Sequence, residues 1–195
     1  MAKPTRYTKE MTDYYTKQGW WDERTLSDFL DRNAELYPDK EAFVAYDVEK
    51  RPVEAKRATF KEMKQMIDRL ALGFLEIELK HDDAIVCQLP NCLENFAVRM
   101  AAEKAGLLHV YAAIGTGERE VTHFIKTTNA AAAVTCREYH KVDHYNLFAE
   151  LRSKFPHLKY IFVVGDDMPQ GAISVSKMLN EPIEERYSED YLDKF

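Results

Sequence analysis

From residue 84 onward, short apolar runs alternate with stretches in which apolar residues recur every three or four positions. A run that is apolar throughout predicts a strand buried on both faces, and the longer spacing predicts an amphipathic helix. The predicted strands lie at 84–89, 108–114, 130–135 and 160–164, and helices follow the first three, capped by Asn91, beginning at Glu118 and capped by Asp143. This alternation is typical of parallel sheets, so we predict an α/β fold: a doubly wound, mainly parallel sheet with helices on both faces.

Between the N-terminus and residue 84 the pattern predicts a helix, a pair of strands and a second helix. The first helix begins near residue 26, with Thr25 or Ser27 as its N-cap. Two strands joined by a charged connection follow between residues 41 and 58. Thr59 and Glu62 have the spacing of a capping box, in which the hydroxyl and the carboxylate each accept from the other residue's backbone amide. We therefore expect the second helix to begin at residue 60.

These elements divide the chain into three predicted parts. Residues 1–25 form an N-terminal arm, residues 26–168 an α/β subdomain, and residues 169–195 an irregular, acidic C-terminal segment that leads to a missing remainder. The arm is aromatic and charged without a clear period. Because Trp20 and Trp21 need cover, we expect the arm to lie over a surface of the subdomain.

Composition narrows the class of protein. The chain has 195 residues, with 27 basic and 33 acidic side chains and a net charge of -6, whereas a non-specific nucleic-acid binder needs a basic surplus. Its longest apolar run, 107–114, is interrupted by His109 and is far short of the roughly 20 residues that span a membrane. No apolar signal core follows Met1. We expect a cytoplasmic protein with no nucleic-acid or membrane partner, whose three cysteines are buried, reduced thiols.

Ligands of doubly wound folds bind at the carboxyl ends of the strands, so the loops there are where chemistry is expected. Gly115-Thr116-Gly117 is the one glycine-rich turn from a strand to a helix, and its amides can bind an anion. It lacks the third glycine of a dinucleotide fingerprint and the lysine of a phosphate loop. A phosphate site and a plain connecting loop both stay open for this turn.

Neither a metal centre nor a catalytic group emerges from the residues. Cys136, His140 and His144 recur every four positions and would share one face of a helix, which suits a metal ion, but the polar residues between them favour a loop. No Gly-x-Ser-x-Gly elbow is present. Acidic pairs such as Asp82-Asp83 lie in predicted turns, where aspartate is favoured for local hydrogen bonds. We therefore expect no metal ligand and no catalytic residue.

Several stretches together resemble a known family. They are Leu26-Ser27-Asp28-Phe29-Leu30, Tyr37-Pro38-Asp39-Lys40-Glu41-Ala42, Thr59-Phe60-Lys61-Glu62-Met63, Val86-Cys87-Gln88-Leu89-Pro90-Asn91-Cys92 and Ala102-Glu103-Lys104-Ala105-Gly106-Leu107. In this order and spacing they resemble the N-terminal portion of the adenylate-forming superfamily of acyl-CoA synthetases and aryl-acid ligases. Tyr15-Thr16-Lys17-Gln18-Gly19-Trp20-Trp21 is similar to the lead-in of 2,3-dihydroxybenzoate-AMP ligases and cyclohexanecarboxylate-CoA ligases.

The resemblance implies an activity for a longer parent enzyme. Such enzymes use ATP and Mg²⁺ to convert a small carboxylic acid into an acyl-adenylate, and usually transfer the acyl group to CoA. Lys104 matches a position that in some CoA ligases approaches the CoA phosphate; the alternative is a solvent-facing lysine near a helix C-terminus. A Ser/Thr/Gly-rich loop ending in Pro-Lys-Gly, the later motifs for adenine, ribose and magnesium, and the small domain with the catalytic lysine have no counterpart in these 195 residues.

Three functional hypotheses follow. The first is an N-terminal fragment of an acid-CoA or aryl-acid-AMP ligase that is inactive alone and binds none of these cofactors tightly. The second is a non-catalytic α/β module or one half of a split ligase, which covers an incomplete sheet by self-association or with a complementary fragment. The third is an independent nucleotide- or flavin-binding protein, for which Pro90-Asn91-Cys92 is a poor phosphate loop.

Overall fold

The computed structural model describes residues 7–22, 24–47, 53–188 and 190–195. Within these ranges the helices are α1 (Lys9–Lys17), α2 (Leu26–Leu36), α3 (Phe60–Glu76), α4 (Leu93–Lys104), α5 (Glu118–Thr128), α6 (His144–Lys154) and α7 (Val175–Asn180). The strands are β1 (Glu41–Asp47), β2 (Glu54–Thr59), β3 (Ala84–Gln88), β4 (Leu108–Tyr111), β5 (Ala132–Cys136), β6 (Glu138–Tyr139), β7 (Val142–Asp143), β8 (Tyr160–Val164) and β9 (Ile173–Ser174). The start of the arm and the connection between β1 and β2 lie outside the described residues.

Five strands form one parallel sheet in the order β4-β3-β5-β8-β9. β3 lies in the interior, with Val86 aligned to Val110 of β4 on one side and to Ala133 of β5 on the other. The chain moves from β3 outward to β4, and then back across β3 to β5 and β8. This reversal is the signature of a doubly wound sheet, and it places a topological switch point between β3 and β5.

Each face of the sheet has its own hydrophobic core. Alternate residues of a strand point to opposite faces. Ile85 and Cys87 of β3 join one core with α3 and α4, whereas Ala84 and Val86 join the other with α5 and α6. Both cores are closed by large, fully buried side chains, such as Phe74 and Phe162 on the first face and Phe148 on the second. The prediction of a doubly wound parallel sheet with helices on both faces is confirmed.

Local sequence signals set the helix ends. The capping box predicted at Thr59 is present, since the Thr59 hydroxyl accepts from the amide of Glu62 at 3.2 Å and the Glu62 carboxylate accepts from the amide of Thr59 at 2.8 Å. Thr25 caps α2 in the same way with Asp28. The prediction of Asn91 as the cap of α4 is wrong: Cys92 is the N-cap residue and supplies no side-chain hydrogen bond.

The N-terminal arm does not lie over the subdomain as predicted. α1 has no buried residue, and Trp20 keeps 66% of its surface exposed. The aromatic side chains cover one another instead, with the ring of Tyr15 4.8 Å from that of Trp21 and 5.8 Å from that of Trp20. These rings obtain apolar contact from one another, whereas the sequence pattern predicted that a neighbouring surface would provide it.

The residues after 168 carry more regular structure than their pattern indicated. β9 extends the sheet, and α7 is a helix of six residues. Two 3₁₀ turns follow, Ile183–Arg186 and Tyr191–Lys194. Arg69 of α3 fixes this segment through paired bonds to the Glu184 carboxylate, the shortest of them 2.7 Å.

The division of the chain at 25 and 168 stays a prediction. None of the helices that the structure describes is both long and apolar enough to cross a bilayer.

Candidate functional site

The switch point brings together the carboxyl ends of β3 and β5, where the fold class predicts a ligand. Gln88, the last residue of β3, is fully buried there. Its side-chain amide donates to the backbone carbonyls of Ala113, at 3.2 Å, and Thr116, at 2.8 Å. Its carbonyl oxygen lies 3.4 Å from Nδ1 of His144. Because that oxygen only accepts, Nδ1 is the protonated ring nitrogen in this pair.

These contacts favour one of the two alternatives for the glycine turn. The turn directs the carbonyl of Thr116 toward Gln88, and its Thr116 amide donates to the Ala113 carbonyl at 2.8 Å. A phosphate-binding turn instead directs several free amides at one point. The arrangement supports a connecting loop clamped by Gln88.

His144 is a structural residue of this edge. Its side chain is almost wholly buried, and burial lowers its pKa, so the imidazole is neutral near pH 7. The predicted alternative of a helical metal site with Cys136 and His140 fails on geometry, because β6 and β7 form a hairpin there and His140 has a positive φ of 50°. In the part of the chain that the structure describes, no three His, Cys, Asp or Glu side chains are grouped to hold a metal ion.

A second concavity lies between β1, α4 and β4. We call it the β4 groove; it has a volume of about 1000 Å³ and is lined by Phe43, Val44, Ala45, Tyr46, Asn91, Cys92, Asn95, Phe96, Arg99, Glu103, Leu107, His109 and Tyr111. Its floor is aromatic, with the rings of Phe43 and Phe96 stacked at 5.0 Å. Such a wall of apolar side chains with a few polar groups is typical of binding surfaces.

The polar groups of the β4 groove are unevenly satisfied. The Glu103 carboxylate accepts from the amide of Ser27 at 3.0 Å and from its hydroxyl at 3.2 Å. Arg99 makes no ion pair with any residue that the structure describes. Nε2 of His109 is buried without a hydrogen-bond partner among these residues. Burial, followed by the nearby charge of Arg99, lowers the pKa of His109 to about 4, so its ring is neutral near pH 7.

Cys87 and Cys92 are poor nucleophiles. None of the three cysteines forms a disulfide within the described ranges. The prediction that all three are buried holds for Cys87 only, since Cys92 and Cys136 are partly exposed. Burial is the main cause that raises the pKa of Cys87 and of Cys92 to about 12, so neither carries appreciable thiolate near neutral pH. The Cys87 thiol donates to the side-chain carbonyl of Asn95 at 3.6 Å, a contact that ties β3 to α4.

Lys104, the predicted contact to a CoA phosphate, is not the solvent-facing lysine of the alternative hypothesis. Its side chain is 10% exposed, and its Nζ lies 2.5 Å from Asp68 and 2.6 Å from Asp31. Lys64 joins the same group, with its Nζ 2.5 Å from Asp68. This α2–α4 ion cluster, formed by Asp31, Lys64, Asp68 and Lys104, links α2, α3 and α4. A phosphate contact by Lys104 stays a prediction that requires one of these carboxylates to release it.

Sequence reasoning did not single out the β4 groove. Its walls come from β1, α4 and β4. β1 is far from α4 and β4 in the sequence, so no local sequence pattern predicts that the three elements form one groove. One signal was present: His109 interrupts an otherwise apolar run, and a polar side chain in a strand at that position marks a face that is not sealed in the core.

Comparison with known proteins shows which family has this architecture. The family model described as "AMP-binding enzyme" matches residues 30–189. The chain is 32% identical over 162 residues to 2,3-dihydroxybenzoate-AMP ligase of Bacillus subtilis (strain 168), covering 83% of this chain and 29% of that protein. It is 27% identical over 170 residues to 2-hydroxy-7-methoxy-5-methyl-1-naphthoate–CoA ligase of Streptomyces carzinostaticus, covering 87% of this chain and 29% of that protein.

A solved structure agrees with these matches. The apo structure of MbtA from Mycobacterium smegmatis superposes with a TM-score of 0.76 at 26% identity, over 90% of this chain and 31% of that one. The chain thus spans about three tenths of the length of the relatives it matches, and the resemblance inferred from its motifs is confirmed. The family match over most of the α/β region and the shared doubly wound architecture lead to one conclusion: this chain belongs to the AMP-binding enzyme family, and its fold is that of the N-terminal subdomain of adenylate-forming enzymes.

Proposed function

We propose that this chain is the first part of a ligase that activates a small carboxylic acid with ATP and passes the acyl group to a thiol such as CoA, and that alone it is inactive. The observation that carries the proposal is the family match over residues 30–189 on a scaffold whose carboxyl edge is already filled by its own side chains. The chain supplies the framework of the first subdomain. The catalytic groups come from a complementary part.

The cofactors of the family do not fit the residues present. The proposed whole enzyme uses ATP, Mg²⁺ and CoA. Transfer of an adenylyl group needs positioned amides, a cationic side chain and a metal ion around the phosphates. At the switch point the glycine turn is clamped by Gln88 and His144 is neutral. We therefore derive no catalytic step within this chain and propose that it binds none of these cofactors tightly.

The proposed substrate is an aromatic carboxylic acid. Two relatives at 32% and 27% identity are named for dihydroxybenzoate and a substituted naphthoate. The Gly-Trp-Trp arm adds to this preference through its resemblance to ligases of aromatic and alicyclic acids. Three cysteines are too few for a disulfide framework, which favours a reducing compartment, so the proposal includes a cytoplasmic location.

A hybrid ligase tests the proposal. In the Bacillus subtilis relative, the segment that matches this chain is replaced by the chain itself, and acid-dependent exchange of pyrophosphate into ATP is measured with 2,3-dihydroxybenzoate, salicylate, cyclohexanecarboxylate and decanoate. We expect exchange with the aromatic acids from the hybrid and none from the isolated chain. A folded hybrid that is inactive with every acid would contradict the proposal.

The partner of the chain distinguishes this proposal from its rival. An exposed groove and a sheet edge favour a complementary polypeptide over a solitary module. Sedimentation of the isolated chain at several concentrations reports on the rival: a stable homodimer would favour a self-associating, non-catalytic module.

A further inference from the structure

β4 ends the sheet on one side, and its outer edge has no strand partner among the described residues. The amide of Leu108 donates to the carbonyl of Asp83 at 2.9 Å, and that of Ala112 donates to the carbonyl of Cys87 at 2.8 Å. Backbone groups of a strand alternate in direction, so the amides and carbonyls of His109 and Tyr111 point away from β3. With no strand beside them in the described ranges, they form a short row of hydrogen-bonding groups that point out of the sheet.

The β4 groove lies beside this free edge. The side chains of His109 and Tyr111 line it, together with the stacked pair Phe43 and Phe96. Tyr111 keeps 54% of its surface exposed, although it is a large ring beside an apolar wall. An unpaired strand edge next to an apolar groove is the surface that an added strand requires: the edge supplies main-chain bonds and the groove takes alternate side chains.

The charged and polar groups of the groove indicate which kind of segment could bind there. Arg99 carries a guanidinium at the groove wall that pairs with no acidic side chain of the described ranges. The neutral ring of His109 leaves its buried Nε2 without a partner in the same ranges. A segment with an acidic side chain placed against Arg99 would satisfy this charge, and a basic segment would be repelled.

We propose that the edge of β4 and the β4 groove together receive an extended, acid-bearing strand from the complementary part of the ligase. This inference rests on the proposed function, and the relatives, of which this chain covers 29–31%, provide the remaining chain from which the strand would come. The strand pairs with the free groups of His109 and Tyr111, lays apolar side chains on Phe43 and Phe96, and places a carboxylate on Arg99.

Amide hydrogen exchange of the isolated chain is the first test, and it needs no partner. The Val110 amide points into the ladder with β3, whereas those of His109 and Tyr111 face outward. We expect the two outward amides to exchange at least about 100-fold faster than that of Val110. Equal protection of all three in a monomer would show that the edge is already covered and would overturn the proposal. Equal protection in a dimer would assign the surface to a second copy instead.

The hybrid ligase provides the second test. In it we expect the His109 and Tyr111 amides to become as protected as that of Val110. Arg99→Glu should reduce pyrophosphate exchange at least about 10-fold by opposing the carboxylate, and the matched control Arg119→Glu on α5 should change it less than about twofold. An active hybrid with unprotected β4 amides would overturn this inference and leave the proposed function standing. A folded, inactive hybrid with protected amides would overturn the proposed function and leave the strand pairing at β4 standing.

Discussion

The ammonium of Lys104 is held between two carboxylates at the junction of three helices. With 10% of the side chain exposed, water contributes little to its solvation, and Asp31 and Asp68 supply the compensating charge. Loss of Lys104 leaves the part-buried carboxylates of Asp31 and Asp68 with only the more exposed Lys64 to balance them. At the scale of single residues, this cluster and His109 are partly buried groups whose charge state bears on stability.

Replacement of Lys104 tests the structural role of the α2–α4 ion cluster. Lys104→Met should lower the free energy of unfolding by about 2–4 kcal/mol, because Asp31 and Asp68 lose the more buried of the two ammonium groups beside them. Lys126→Met, at an exposed position of α5, should change it by less than about 0.5 kcal/mol. Urea unfolding of both variants measures the difference. A Lys104→Met variant as stable as the parent would show that these ion pairs contribute no net stability and would contradict the structural role.

His109 gives the protein a predicted acid sensitivity. Its pKa in the folded chain is about 4 against an ordinary value of 6.5, so the unfolded chain takes up a proton between these values and the folded chain does not. Stability should therefore fall as the pH drops from about 6.5 to about 4. After allowance for partial exposure, we expect a loss of about 1–2 kcal/mol from this residue.

Denaturation at a series of pH values, compared with His109→Gln, isolates this contribution. In His109→Gln, the free energy of unfolding should no longer show the fall between pH 6.5 and 4 that His109 causes. His123→Gln, at an exposed position of α5, should still show it. An Arg99→Gln variant should raise the pKa of His109 by removing a nearby positive charge. Identical pH profiles for His109→Gln and the parent would contradict the assignment.

At the scale of elements, the sequence predicts best where a local signal is also the structural cause. Thr59 and Glu62 mark the start of α3 because their own side chains satisfy its first amides. Prediction fails where a neighbour decides the outcome. Asn91 has the sequence of an N-cap, but the turn after β3 places Cys92 at that position, while the Asn95 side chain bonds the Pro90 carbonyl at 3.1 Å.

The turn between α4 and β4 depends on Gly106. Its φ is +67°, and a Cβ there would lie 2.7 Å from Cδ2 of His81. Gly106→Ala should therefore cost about 1–2 kcal/mol of stability. Gly115 has no positive φ, and a Cβ added to it would meet no described atom within 4 Å, so Gly115→Ala should be neutral to within about 0.5 kcal/mol. Thermal unfolding of the pair measures the contrast, and equal melting temperatures would refute it.

At the scale of the whole molecule, the doubly wound sheet could be predicted because each strand and helix carries its own period. The two cores then follow from the alternation of side chains along β3 and β5. The β4 groove could not be predicted in this way, since β1 and β4 meet only in the folded chain. The prediction for the N-terminal arm was wrong for a related reason, since side-chain contacts formed only in the folded chain decide it: Tyr15, Trp20 and Trp21 pack against one another.

Our central proposal is that this chain holds the framework of an acid-activating ligase while the catalytic groups lie outside it. Acid-dependent exchange of radioactive pyrophosphate into ATP, measured on the purified 195-residue chain beside the hybrid ligase, tests this proposal most directly. We predict a rate at the level of the protein-free blank for the chain and a saturable, aromatic-acid-dependent rate for the hybrid. Saturable exchange by the isolated chain would contradict it.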